Sequence, residues 1–419
     1  MMTNSAQLWR IGLLSAAFFG ALAHSDDTAP EPDLAALVAQ ASYPISFANG
    51  RLSGAGQEHL MHELSTAQFV LLGESHYDHD TPLFAGALYR ELQAKMGFHH
   101  FVVEQDPIAI EDALKPGTRG NASAIAEIAK RDPYLFGFAS DQDLALLADV
   151  GRLDQGPDTI WGLEQAQGTT RYLKELRELA GTPALRAECT QLLDEARKIE
   201  MERGPHGDYL SEPGAYANMQ VLRAHFKAAA GSRAMKLLDG LVTSAEIYSY
   251  YRRADAGEYV GLFNNTVRES LFKREFVADY AHAVAHGEAL PKAMFKFGDV
   301  HMFHGLDPVM AFPIGNFAHE FAISHGLDGY SIDIFALGTY AQWSDLPAWL
   351  LPLLPATAPS HEVLIDLRAL RPYQKLFRAK VADKDQWEFR AFINGYDAVL
   401  LLPNSRKADM TLTGFPNPF

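Results

Sequence analysis

Apolar runs of strand length recur along this chain, and several of them end in ionisable residues. Phe69-Val70-Leu71-Leu72 runs into Gly73-Glu74-Ser75-His76-Tyr77-Asp78-His79-Asp80, the pattern of a buried strand that delivers a polar loop at its carboxyl end. Thr81 is placed to cap the helix that follows, Pro82 suits its first turn, and Leu83, Ala87, Leu88 and Leu92 recur at helical spacing. Glu74, His76, His79 and Asp80 are thus expected in a strand-to-helix loop at a positive helix end, where backbone N–H groups can receive an anion. Phe101-Val102-Val103-Glu104 and Thr159-Ile160-Trp161-Gly162-Leu163-Glu164 repeat the arrangement. Three such strands separated by helical segments predict an α/β fold: a mainly parallel central sheet flanked by helices, its carboxyl edge a shared site. Glu164 could equally cap the helix after it.

From Thr170 to about Gly257 the periodicity becomes helical, with long amphipathic stretches at 171–180, 183–202, 216–230 and 233–251. This predicts a helical insertion, residues 170–257, in an α/β core made of 24–169 and 258–419. Gly204-Pro205-His206-Gly207-Asp208 reads as a turn within it, with His206 an exposed loop residue. The next helix, about 259–286, carries Asn265, Arg268, Glu269, Lys273 and Arg274, for which surface salt bridging is the default reading. The strand pattern returns at Ala293-Met294-Phe295-Lys296-Phe297-Gly298, ahead of Asp299-Val300-His301-Met302-Phe303-His304-Gly305, and further strands are expected at 330–337, 363–367 and 396–402. The proline-rich stretch 346–359 reads as a surface loop. Gly73-Glu74-Ser75-His76 and Gly298-Asp299-Val300-His301 echo each other as glycine, acid, spacer, histidine.

Met1 to Ala23 have the layout of a secretory signal: Arg10 in a polar n-region, an apolar run from Ile11, and Ala21-Leu22-Ala23 as a small-x-small cleavage site. A mature chain starting near His24, secreted or periplasmic, is expected. The run is too short to span a bilayer, which takes about 20 residues, so no stable membrane insertion is expected. Cys189 is the only cysteine, which excludes an internal disulfide scaffold and a CxxC motif. It stands in a polar helical stretch and reads as an incidental thiol. The net charge of −16, with no cluster of basic residues, argues against a nucleic-acid surface and leaves a small-molecule or peptide substrate. A GxSxG elbow, a Walker-type loop and GxGxxG are all missing from the sequence.

Histidines and carboxylates converging at one sheet edge supply what water activation needs: imidazole takes a proton near neutral pH, and a carboxylate fixes its tautomer. The same set could hold a divalent metal through His76, Glu104 and His301 and acidify a bound water. Helix-capping acids beside loop histidines are the bland alternative.

The ordered motifs Leu71-Leu72-Gly73-Glu74-Ser75-His76, Val102-Val103-Glu104, residues 138–150 ahead of Trp161-Gly162-Leu163-Glu164, the Arg268 helix, Phe297-Gly298-Asp299-Val300-His301 and Tyr396-Asp397-Ala398-Val399 resemble the erythromycin esterase, Tiki and ChaN superfamily. Length and helical insertion resemble the erythromycin esterases most. In those, an extra residue separates glutamate from histidine and a glycine follows; here Glu74 and His76 are two apart, and Tyr77 stands in the glycine's place. The two-residue spacing is closer to the ChaN haem-binding lipoproteins and the Tiki-type metal-dependent proteases. The resemblance implies a secreted hydrolase that cleaves an ester, lactone or amide without a covalent intermediate. Glu74, His76, Glu104 and His301 would be catalytic, and Arg268, His304 and Glu164 would contact substrate. The alternatives are a Tiki-like protease, or a haem or metal carrier in which His76, Tyr77, His79 or His304 ligates iron.

Overall fold

The computed structural model describes residues 31–154, 156, 158–203, 208–338 and 342–417; Met1 to Ala23, where a secretory signal is expected, and His206 lie outside these. Residues Leu34–Phe419 pack as one unit around an eight-stranded sheet. Its strands are β1 (Ser42–Pro44), β2 (Ala67–Glu74), β3 (His100–Val103), β4 (Ile160–Gly162), β5 (Ala293–Gly298), β6 (Asp328–Ala336), β7 (Val363–Asp366) and β8 (Ala398–Leu402). They lie in the order β1-β7-β8-β6-β2-β5-β3-β4. All pairings are parallel except those of β7, which runs antiparallel to both β1 and β8. The expected mainly parallel α/β sheet is therefore present, with one reversed strand.

The alternation of side chains along each strand divides the core between the two sheet faces. Val70, Leu72, Phe101, Val103 and Met294 pack into one cluster with the helix Asp80–Met96, and Phe69, Leu71, Val102, Phe295 and Phe297 into another. The second cluster is closed by Phe272, Phe276 and Tyr280 of the helix Phe263–Ala285. Burying each such aromatic side chain contributes roughly 1.5–3 kcal/mol, so the helix is anchored by its apolar stripe, and the polar residues one turn earlier are fixed at the carboxyl edge of the sheet. Within 170–257 the described residues form the helices Thr169–Leu179, Pro183–Arg203, Ala215–Phe226 and Arg233–Asp255. Cys189 is buried among them, and burial pushes its thiol up to about 11.

Several expectations need correction. The edge strand β1, Ser42-Tyr43-Pro44, has no buried residue and so leaves no apolar signal. The proline-rich stretch is not merely a surface loop, because Leu346, Leu350, Leu353 and Leu354 are buried in a third core cluster with β7 and β8. Thr81 does not cap its helix. The carboxylate of Asp78 does so, accepting from Asp80 N at 3.0 Å and Thr81 N at 2.6 Å.

Candidate active site

Four adjacent strands deliver the site. β2 and β5 pair in register with Glu74 beside Gly298, so the two glycine-to-histidine segments leave the sheet side by side. β3 lies next to β5 and β4 next to β3, which brings Glu104 and Glu164 to the same edge. Glu104 is the hub. Its Oε1 accepts from Arg268 Nη2 at 2.6 Å and its Oε2 from the Gly298 backbone N–H at 2.8 Å. His76 Nε2 stands 3.6 Å from Oε2, and His301 Nε2 stands 3.5 Å from Oε1. Arg268 reaches across to Glu164 as well, through Nε at 3.0 Å and through Nη2, a two-point grip suited to the planar guanidinium. Its Nη1 donates to His301 Nε2 at 3.1 Å. His301 must then carry its proton on Nδ1, where it meets the carboxylate of Glu269.

His76 is held from the other side. Its Nδ1 lies 3.1 Å from Glu74 Oε1, and the same oxygen accepts from Lys296 Nζ at 2.7 Å. Lys296 also donates to Asp143 Oδ1 at 3.0 Å. The imidazole stacks on Phe138 at a centroid distance of 4.1 Å and an interplanar angle of 21°. Gln105, the residue after Glu104, fixes that ring's backbone: its amide donates to Phe138 O at 2.7 Å and accepts from Gly137 N at 2.9 Å. Tyr77 adopts a positive φ of 58°, a conformation in which glycine is unstrained, and its hydroxyl donates to Gly137 O at 2.6 Å. Gly298 has to be glycine for a different reason. A Cβ there would come within 2.9 Å of His76 Nε2 and 3.6 Å of Glu104 Oε2, filling the space between imidazole and carboxylate.

The charges explain the protonation states. Glu104 and Glu164 face Arg268, Glu74 and Asp143 face Lys296, and Glu269 faces His301. Burial alone would raise the pKa of Glu104, but His301, His76, Arg268 and the Gly298 N–H together hold it down at about 2. Burial would lower both histidines; Glu104 and Glu74 outweigh it at His76, and Glu104 and Glu269 at His301, so both are raised.

Similarity to known proteins was found at the level of structure. No protein-family model matches the sequence, and no curated protein matches it. An erythromycin esterase, EreC, in its open conformation and carrying a histidine-to-asparagine substitution, superposes with a TM-score of 0.54 at 14% identity, over 88% of this chain and 99% of that one. The chain has the fold of an erythromycin esterase. A Bacillus cereus protein gives a TM-score of 0.52 at 13% identity over 89% of this chain and 98% of its own. A succinoglycan biosynthesis protein gives 0.52 at 13% identity over 90% and 97%.

Of the residues picked out in the sequence, Glu74, His76, Glu104, Glu164, Arg268 and His301 converge in this erythromycin-esterase-like fold. His304 does not join them. It stacks on His319 at 4.3 Å and lines a separate cavity of about 460 Å³ with Phe303, Trp387 and Arg390. Surface salt bridging is the wrong reading for Arg268 and for Glu269, which is 2% exposed and accepts from Ile314 N at 2.6 Å. The echo between the two motifs is also partial: Glu74 contacts its histidine, whereas Asp299 turns its carboxylate to Val300 N at 2.7 Å and His301 is served by Glu269. Lys296, Asp143, Glu269, Gln105 and Phe138 are the members that periodicity did not single out. A lysine inside an otherwise apolar run was the one available signal.

The donor set is a poor fit for a metal ion. The guanidinium of Arg268 already occupies the position between Glu104, Glu164 and His301 Nε2 where a cation would bind. Elsewhere among the described residues, His59, Glu63 and Asp366 lie close enough to share an ion, but Arg368 is already bonded to Glu63 and Asp366. Of the iron ligands offered by the haem reading, His76 lies in the site, His79 is paired with Asp80 at 2.6 Å, Tyr77 is bonded to Gly137, and His304 is stacked on His319.

Proposed function

We propose that this protein is a hydrolase that activates water at His76 to cleave an ester, lactone or amide bond, without a metal. The observation that carries the reading is the orientation of His76. Glu74 holds Nδ1 at 3.1 Å, and Nε2 is left facing Glu104 across the gap kept open by Gly298. A water in that gap gives its proton to Nε2 as its oxygen bonds to the carbonyl carbon. The developing negative charge lies toward Arg268. The bond to the leaving oxygen or nitrogen then breaks, and the imidazolium of His76 returns the proton to it. The substrate is a small molecule or a peptide. Activity on a panel of esters, lactones and peptides is expected to survive exhaustive chelation; loss on chelation with recovery on adding a divalent ion would reject the metal-free site.

The same reading includes export, supported by the layout of Met1–Ala23. The intact mass of protein from its native compartment should correspond to a chain starting near His24. A soluble cytosolic product that keeps Met1 would reject it.

A further inference from the structure

Lys296 is a buried lysine on a central strand, 6% exposed, flanked by Phe295 and Phe297. An unpaired ammonium there would be prohibitively costly, and its two partners come from separate parts of the chain. Nζ donates to Glu74 Oε1 at 2.7 Å and to Asp143 Oδ1 at 3.0 Å. Asp143 is itself held by Ser140, which caps the helix Asp141–Leu153: Ser140 Oγ donates to Asp143 Oδ2 at 2.6 Å, and Asp143 N donates to Ser140 Oγ at 3.0 Å. The ammonium is therefore fixed in position, and it shares one oxygen of Glu74 with His76 Nδ1, 3.1 Å away.

We infer that Lys296, anchored by Asp143, is a positioning residue that holds Glu74 as a hydrogen-bond acceptor and so fixes His76 as the Nδ1–H tautomer, with the proton-accepting lone pair on Nε2. An ionised carboxylate only accepts hydrogen bonds, so beside it Nδ1 must carry the hydrogen. A protonated Glu74 could donate to Nδ1 instead, and the imidazole would then carry its hydrogen on Nε2, where it cannot take one from water. Without Lys296 nothing would hold Glu74 as an acceptor, whereas Asp143 would keep the hydrogen bond from Ser140 Oγ, so Glu74 is the acid of the pair left to donate to Nδ1. The inference rests on the proposed role of His76, but its test does not need a substrate.

The test is long-range proton–nitrogen NMR of the histidine side chains in the full chain, with the His76 signals assigned from their loss in His76→Ala. In the wild type, at a pH above the raised pKa of His76, Nδ1 is expected to be protonated and Nε2 not. In Lys296→Met the hydrogen is expected on Nε2, with kcat on whichever substrate the panel yields falling about 100-fold or more, since a wrong tautomer disables a general base. If Lys296→Met does not fold, Lys296→Gln, which keeps an amide donor and removes the charge, carries the same expectation. Wild-type protein with the hydrogen on Nε2 would overturn the inference without any variant, as would a folded Lys296 variant that keeps Nδ1–H. A tautomer change in a protein that hydrolyses nothing on the panel would leave the positioning role standing and count against the hydrolase.

Discussion

Glu104 makes the sharpest demand on a single side chain, because its carboxylate is 3% exposed and yet stays ionised. Its folded pKa of about 2 lies below the value of roughly 4.3 for an unfolded glutamate. A depressed pKa contributes stability that is fully present above the unfolded value and is lost as pH falls toward the folded one. The advantage of wild type over Glu104→Gln in urea unfolding should therefore be constant above about pH 5 and shrink between there and pH 2, by up to about 1.4 kcal/mol per pH unit. A difference that stays flat across that range would contradict the ionised hub. Residues such as Glu104 and His76 were legible because each stands just past an apolar run, where a polar side chain has to face the sheet edge. Lys296 was not, since the partners that make its burial tolerable lie 222 and 153 residues away, and no local pattern reports them. Glu269 was hidden in a helix whose other charged residues gave it the look of a solvated face.

Among the elements, the C-terminal segment accounts for how the His76 loop keeps its shape. It lies across that loop: His79 N donates to Arg406 O at 2.8 Å, Ala408 N to Tyr77 O at 2.8 Å, and Ser405 Oγ to Asp78. Its far end is tied to the helix Asp141–Leu153 through Asp141 N to Asp409 O at 2.8 Å and Leu412 N to Asp141 Oδ1 at 2.8 Å. Asp78 is where strap and helix cap meet. Asp78→Ala should cost about 1–2 kcal/mol in chemical denaturation, the scale of a lost cap, and should lower turnover further than that loss alone explains. Unchanged stability would show that the strap carries the loop without the cap. Seven of the eight strands were legible as apolar runs; β1 was not, because Ser42-Tyr43-Pro44 holds no apolar run and none of its residues is buried. The proline-rich stretch hid its buried leucines for a similar reason, since irregular backbone leaves no period to read.

For the whole molecule, the parallel sheet explains why residues from Glu74 to His301 meet at all: the crossovers return β2, β5, β3 and β4 in the same direction, so their carboxyl ends open on one edge. That much followed from the order of strand and helix patterns. The antiparallel β7 and the choice of neighbours in the sheet did not, because pairing order is decided by which faces the helices cover. The fold shared with an erythromycin esterase fixes the scaffold, and the chemistry rests on the His76 gap. The most direct test is kcat of His76→Ala on the best substrate of the panel, measured beside its thermal midpoint. The imidazole is a quarter exposed on its side chain, and Lys296 still neutralises Glu74 in its absence, so the midpoint should scarcely move while turnover falls by about 10²-fold or more, the scale of a lost general base. A folded His76→Ala protein with wild-type turnover would contradict the account.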